Sequence, residues 1–156
     1  MKIKTVDRAT AHIYDNLCQA YEAEFSPLTH KQADANGLFA KDTLLEGNIT
    51  GYLVYSDDLP AGLAAIKQDE HAEFEVCEFY VVPYYRRHKL GLQFASALFD
   101  QMPGNWQIKQ IEGADHATAF WRAVVNDYTS GHYQEDSYND PYWGNVTRQT
   151  FSAQKH

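Results

Sequence analysis

The stretch Glu78-Phe-Tyr-Val-Val-Pro-Tyr-Tyr-Arg-Arg-His-Lys-Leu-Gly-Leu-Gln-Phe-Ala95 constrains the fold more than any other part of the chain. Phe79 to Val82 are aromatic and β-branched, as a buried strand prefers. Pro83 cannot donate to a sheet ladder and so ends that strand. Leu90, Phe94, Leu98 and Met102 then recur at helical spacing, with Ala95 and Phe99 beside them. Between strand and helix stand Arg86, Arg87, His88, Lys89 and, just inside the helix, Gly91. Cations and a glycine thus surround the first turn of a helix, where N–H groups have no partner and the dipole is positive. The arrangement suits an anion, most naturally a phosphate. A solvated basic turn between two core elements is the other reading that these residues leave open.

The rest of the chain bounds what such a strand, turn and helix can belong to. Its 156 residues form one expected domain, 1–156, large enough for a single core. A hydrophobic share of 44% with 22% charged residues is that of a soluble globular protein. No apolar run approaches the roughly 18 residues of a membrane span. Met1 to Asp7 lacks the apolar region of a secretory signal, so the expected location is the cytoplasm, away from the membrane. Cys18 and Cys77 are then expected as free thiols. No Cys-x-x-Cys exists and no two histidines lie three or four apart, so no metal site is signalled. A formal charge of −8 argues against a nucleic-acid partner and is compatible with a cationic small substrate.

In chain order, Lys2 to Val6 alternates like a short strand. Asp7 is a plausible N-cap for a helix carrying Ile13, Leu17 and Tyr21, which Pro27 ends at Ser26. Leu38, Phe39, Leu44 and Leu45 suggest a second short helix, broken by Asn36-Gly37 and Gly47-Asn48. Thr50–Tyr55 and Ala61–Lys67 read as a hairpin joined by Ser56 to Pro60. A polar turn, Glu70 to Glu73, leads into the strand Phe74–Val82. The central helix stops near Pro103-Gly104. Trp106 to Glu112 is strand-like. Asp115 then N-caps a helix with Ala117, Phe120, Trp121, Val124 and Val125 on one face. Gly131–Tyr138 and Val146–Phe151 close the chain as two strands separated by Asn139 to Asn145. The order β-α-(α)-β-β-β-α-β-α-β-β is that of a mixed α/β domain.

Two motifs carry a family resemblance. Val81-Val-Pro-Tyr-Tyr-Arg86 and Arg86-Arg-His-Lys89-Leu-Gly91 resemble the lead-in and the Arg/Gln-x-x-Gly-x-Gly/Ala acetyl-CoA motif of the GNAT superfamily of N-acetyltransferases. Lys89 stands at that motif's first glycine. Ala117-x-x-Phe120-Trp121 resembles the family's Asn-x-x-Ala-x-x-Phe-Tyr, with Ala114 and Trp121 in place of its Asn and Tyr. Phe99 to Trp106, Ala119 to Arg122 and Tyr128 to Gly131 look like a bacterial subgroup of unassigned substrate. The element order matches throughout, whereas the residue likeness is confined to about 74–125.

The resemblance implies a mixed, mostly antiparallel central sheet of 6–7 strands flanked by about four helices. It implies acetyl-CoA as acyl donor, with its pyrophosphate on the N–H groups of Arg87, His88, Lys89, Leu90, Gly91 and Leu92, beside Arg86. Phe120 is a further cofactor contact. Backbone N–H groups of Phe79, Tyr80 and Val81 would polarise the thioester carbonyl. Glu78 and Glu75 are the acceptor-side carboxylates. Three apart on one strand, they are expected on opposite faces. Either could take the proton of an ammonium acceptor through a water. Trp121 has no titratable hydroxyl, so Tyr128 is the nearest candidate for the thiolate's acid. Cys77 reads as an inert thiol and His116 as exposed. The implied activity is acetyl transfer to a small-molecule, polyamine-like or peptide amine by direct attack in a ternary complex. An acyl-CoA-binding sensor with little catalysis is the alternative, and a homodimer is left open.

Overall fold

The computed structural model describes residues 1–154 of the chain. Seven strands run β1 (Lys2–Thr5), β2 (Ile49–Ser56), β3 (Leu59–Gln68), β4 (Glu73–Val81), β5 (Gly104–Ile111), β6 (Gln134–Asp140) and β7 (Gly144–Ala153). Three α-helices, α1 (Ala11–Thr29), α2 (Leu90–Gln101) and α3 (Asp115–Thr129), and a 3-10 helix over Pro83–His88 complete the order. The strands form one sheet in the order β1-β2-β3-β4-β5-β7-β6. Pairing is antiparallel for β1–β2, β5–β7 and β6–β7 and parallel for β4–β5. The expected mixed sheet is therefore present. No helix among the described residues is long and apolar enough to cross a membrane. Both cysteines are free, Cys18 buried and Cys77 half-buried.

The chain gathers into two compact units, the first made of Met1–Ile66 with Cys77–Gly91 and the second of Lys67–Val76 with the chain from Leu92 onward. In the first, α1 lays Tyr14 and Cys18 onto Leu53, Tyr55, Leu63 and Tyr80, with Ile13, Leu17 and Tyr21 packed alongside. That stripe has helical spacing and buries one face of α1. Gly62 lets β3 and β4 approach closely, because a Cβ there would run into the Tyr80 carbonyl oxygen.

Four local expectations need correction in this unit. Asp7 does not cap α1; it closes the turn before it, exchanging bonds with Thr10 (Asp7 N to Thr10 Oγ1 2.9 Å, Thr10 N to Asp7 Oδ1 3.0 Å). Pro27 does not end α1, which continues to Thr29. The donor missing at Pro27 would have served the Ala23 carbonyl, and the Ser26 hydroxyl donates to it instead at 2.7 Å. The short helix expected within residues 28–48 is absent. Leu38 and Leu44 are each 53% exposed and only Phe39 and Leu45 are half-buried, too little covered apolar surface to offset a helix's ordering entropy. Polar anchors hold the strap instead: the Gln19 amide donates to the Phe39 carbonyl at 2.9 Å and accepts from its N–H at 2.8 Å, and Lys41 pairs with Asp15 at 2.7 Å. The β2–β3 turn is only Asp57-Asp58, with φ of 49° and 66°, a type I′ geometry that aspartate tolerates. Leu59 and Pro60 accordingly belong to β3.

The second unit is built on Trp106. Its ring stacks on Phe74 (4.9 Å, 20°) and meets Phe99 edge-on at 4.9 Å, while its indole N–H donates to the Met102 carbonyl at 3.0 Å. The buried Gln110 and Gln149 exchange amide bonds of 2.7 and 3.0 Å. Asp115 is the first residue of α3 and not its cap; Ala114 precedes it without a side-chain bond. A carboxylate in the first turn still complements the helix dipole. The β6–β7 connection is shorter than expected. Asp140 accepts the N–H groups of Tyr142 (2.8 Å) and Trp143 (3.0 Å), which leaves only Pro141 to Trp143 outside the strands.

Candidate active site

In the first unit, β4 delivers Glu78 to the face covered by α1. Glu78 is 9% exposed. It accepts hydrogen bonds from the Tyr21 hydroxyl and, at 3.0 Å, from the Thr43 hydroxyl. Burial raises its pKa from the ordinary 4.5 to about 7, against the pull of those two hydroxyls and with help from the Glu22 and Asp42 charges. A carboxyl raised toward neutrality is matched to proton transfer near that pH. In return, burial and Glu78 push the Tyr21 hydroxyl well above its usual range. Each of Glu22, Asp42 and Glu78 offers an oxygen within 4.8 Å of the others. The Lys31 ammonium supplies the cation, bonded to Glu22 (2.8 Å), Asp42 (2.8 Å) and the Ala40 carbonyl (3.0 Å). Burial also pushes the neighbouring Cys18 thiol up to about 12, which makes it a poor nucleophile.

Past β4 the chain turns through the 3-10 helix Pro83–His88 and enters α2 at Leu90. Lys89, between them, has φ 59° and ψ 15°. This is the left-handed region, where glycine is the ordinary residue, so Lys89 holds at some cost the backbone shape a glycine would adopt freely. Arg87, His88 and Lys89 are exposed, and none forms an ion pair among the described residues. Arg86 is different. Its guanidinium reaches both carboxylate oxygens of Glu24 (2.9 and 2.8 Å), donates from Nε to the Val81 carbonyl at 2.9 Å and lies 5.5 Å above the Tyr80 ring. What Arg86 retains for a diphosphate is chiefly its place at the head of the turn. Phe79, Tyr80 and Val81 occupy the end of β4, beyond the four-residue β4–β5 ladder of Glu73 to Val76.

The remaining candidates lie in the second unit. Glu75 is paired with Lys109 at 3.0 Å, which neutralises it as an ion-pair partner. The Tyr128 hydroxyl donates to Asp100 at 2.8 Å. Burial and that carboxylate raise its pKa, making it a weaker acid than a free phenol. Phe120 is half-buried and meets the buried Trp121 edge-on at 5.0 Å. His116 is exposed. Sequence reading missed Tyr21, Thr43, Glu22, Asp42 and Lys31 around Glu78. Tyr21 and Glu22 read only as part of a helix, and Lys31, Asp42 and Thr43 fall in a stretch without periodicity that meets β4 only through the fold.

No protein-family model matches the sequence, and no curated protein matches it. Solved structures do match. The ribosomal-protein-S18-alanine N-acetyltransferase of Escherichia coli superimposes with a TM-score of 0.65 at 14% identity, covering 99% of this chain and 95% of that one. An acetyltransferase described as belonging to the GNAT family of Bacteroides thetaiotaomicron gives 0.65 at 12% identity over 99% and 89% of the chains. An aminoglycoside 6'-N-acetyltransferase complexed with coenzyme A gives 0.65 at 9% identity over 100% and 99%. At such identities the likeness establishes the fold.

Proposed function

We propose, from the premise that this chain has the GNAT acetyltransferase fold, that it transfers an acetyl group from acetyl-CoA to a primary amine. The observation that carries the reading is Glu78: a buried carboxyl titrating near 7, on the strand that leads into a basic helix start. Coenzyme A in the aminoglycoside enzyme supports a CoA-linked donor, and the names of the matched enzymes support an amine acceptor. The diphosphate would lie on the backbone N–H groups from Arg87 to Leu92, with Arg87 and Lys89 adding charge. Backbone N–H groups of Phe79 to Val81 would hold the thioester carbonyl as charge builds on its oxygen.

Glu78 would take a proton from the ammonium acceptor, directly or through a water, leaving a neutral amine. That amine attacks the thioester carbon; as the C–N bond forms and the C–S bond breaks, the nitrogen's surplus proton passes, directly or through water, to the departing sulfur, which leaves as the CoA thiol. Residues 1–156 would act as one catalytic domain in the cytoplasm, with no part played by nucleic acid.

Two measurements test this. Acetyl-CoA is expected to raise the melting temperature where ATP does not, since a ligand of the native state stabilises by linkage. A panel of primary amines is expected to release free CoA thiol from acetyl-CoA. Tight acetyl-CoA binding with no turnover on the panel would favour the sensor reading, and no binding at all would remove both. Within the cradle, Arg87→Ala is expected to weaken acetyl-CoA about tenfold, the scale of a lost charge-assisted hydrogen bond. Arg86→Ala is expected to weaken it less, because that guanidinium is engaged by Glu24. Calorimetric titration of both variants decides the order.

A further inference from the structure

On the second unit lies a cavity of about 760 Å³, and its side chains are arranged by the sheet register. Glu75 pairs with Gln107, Gln107 with Thr150, and Thr150 with Gln134. Partners directly across a ladder point to the same face. Four polar side chains from four adjacent strands therefore form one row along the groove, with Glu73 and Asn105 in the next row. No protein hydrogen bond engages the side chains of Asn105, Gln107, Gln134 or Thr150 among the described residues. Each amide keeps two donors and two acceptor positions unused, and the hydroxyl adds more. His132 and Tyr133 border the cavity at one side.

The charge around the groove is acidic. Asp69, Glu73 and Glu75 line it against Lys67 alone. Asp69 is held by the N–H groups of His71 (2.8 Å) and Glu73 (3.0 Å), and Glu75 is held by Lys109. Glu73 is exposed and forms no ion pair among the described residues. A volume in the usual range for a small-molecule site, amides on one plane and a carboxylate at one end together set the ligand's chemistry.

We propose that this groove binds a polyhydroxylated cation of disaccharide size, an amino sugar. Its vicinal hydroxyls pair with the amides of Gln107, Gln134 and Asn105, and its ammonium lies toward Glu73. Neither Glu78 nor the turn before α2 lines the groove, so its occupancy can be measured without acyl donor.

Calorimetric titration of the full chain without acyl donor tests it, with three probes: the β-1,4-linked dimer of glucosamine, the uncharged cellobiose and the hydroxyl-free diamine putrescine. The glucosamine dimer is expected to bind tightest, cellobiose about tenfold more weakly for want of the charge-assisted contact. Putrescine, which has the charge and no hydroxyls, is expected to bind more weakly still. Gln107→Leu and Gln134→Leu are each expected to lower the dimer's affinity about threefold to tenfold, the scale of one neutral hydrogen bond. Both positions are on the surface, and an unchanged melting temperature confirms that the variants are folded. Absence of dimer binding, putrescine binding as well as the dimer, or affinity unmoved in both variants would overturn the proposal. Loss of thiol release with dimer binding intact would instead count against the acetyl-transfer reading alone.

Discussion

Glu78→Gln is expected to lower kcat/KM for acetyl transfer by about 10²–10⁴-fold, the usual span for losing a positioned base, and at pH 8 to make the protein more resistant to heat. The two effects have one origin. Burial lifts the Glu78 pKa from 4.5 to about 7. The folded state thus holds this proton more tightly than the unfolded chain does, and the associated stability is complete below about pH 4.5. It is lost as pH rises through about 7, and above that the folded protein carries a buried carboxylate. At about 1.4 kcal/mol per pKa unit the loss amounts to about 3 kcal/mol. Glutamine keeps the shape and stays neutral, so its gain in melting temperature should be large at pH 8 and vanish near pH 4.5. The wild-type rate should rise with pH through about 7 as the base ionises. A pH profile without that limb, or full turnover in the Glu78→Gln variant, would remove Glu78 from the chemistry.

Trp106→Ala is expected to cost about 3–5 kcal/mol, as truncation of a buried tryptophan usually does. Against total stabilities of about 5–15 kcal/mol, that is enough to leave a large unfolded fraction. The indole is 2% exposed and lies against Phe74, Phe99 and Phe151, which belong to two strands and a helix. No single neighbour can fill so shared a space. Urea unfolding followed by circular dichroism should show the midpoint falling while the slope stays constant. Trp106→Phe, which keeps an apolar ring, should lose much less. Equal losses in the two variants would mean that packing volume is not what Trp106 contributes.

These two residues also mark how far the chain could be read without its coordinates. Trp106 opens a stretch that reads as a strand from the sequence alone, because a period-2 pattern survives in any sheet with one buried face. The strand–turn–helix from Glu78 to Ala95 was legible for a similar reason: β-branched and aromatic residues, a proline stop and a helical apolar stripe are all short-range signals. The corrections fall where short-range signals compete. Pro27 should break a helix, but Ser26 supplies the replacement donor. Leu38 and Leu44 should help to build one, but face water.

The candidate site divides along the same line. The basic run from Arg86 to Lys89 is legible because its residues are neighbours in sequence as well as in space, and Glu78 is legible only through the family resemblance of the strand that carries it. That Glu78 titrates near 7, that Arg86 is bound to Glu24 and that Glu75 is matched with Lys109 were not visible at all. Each depends on partners brought from far along the chain by sheet register and helix docking, 35 positions for Thr43 and Glu78 and 62 for Glu24 and Arg86. Local pattern sets which element forms, because backbone geometry repeats over a few residues. The charge state of a group depends on burial and on what it meets there, and those are properties of the packed chain alone.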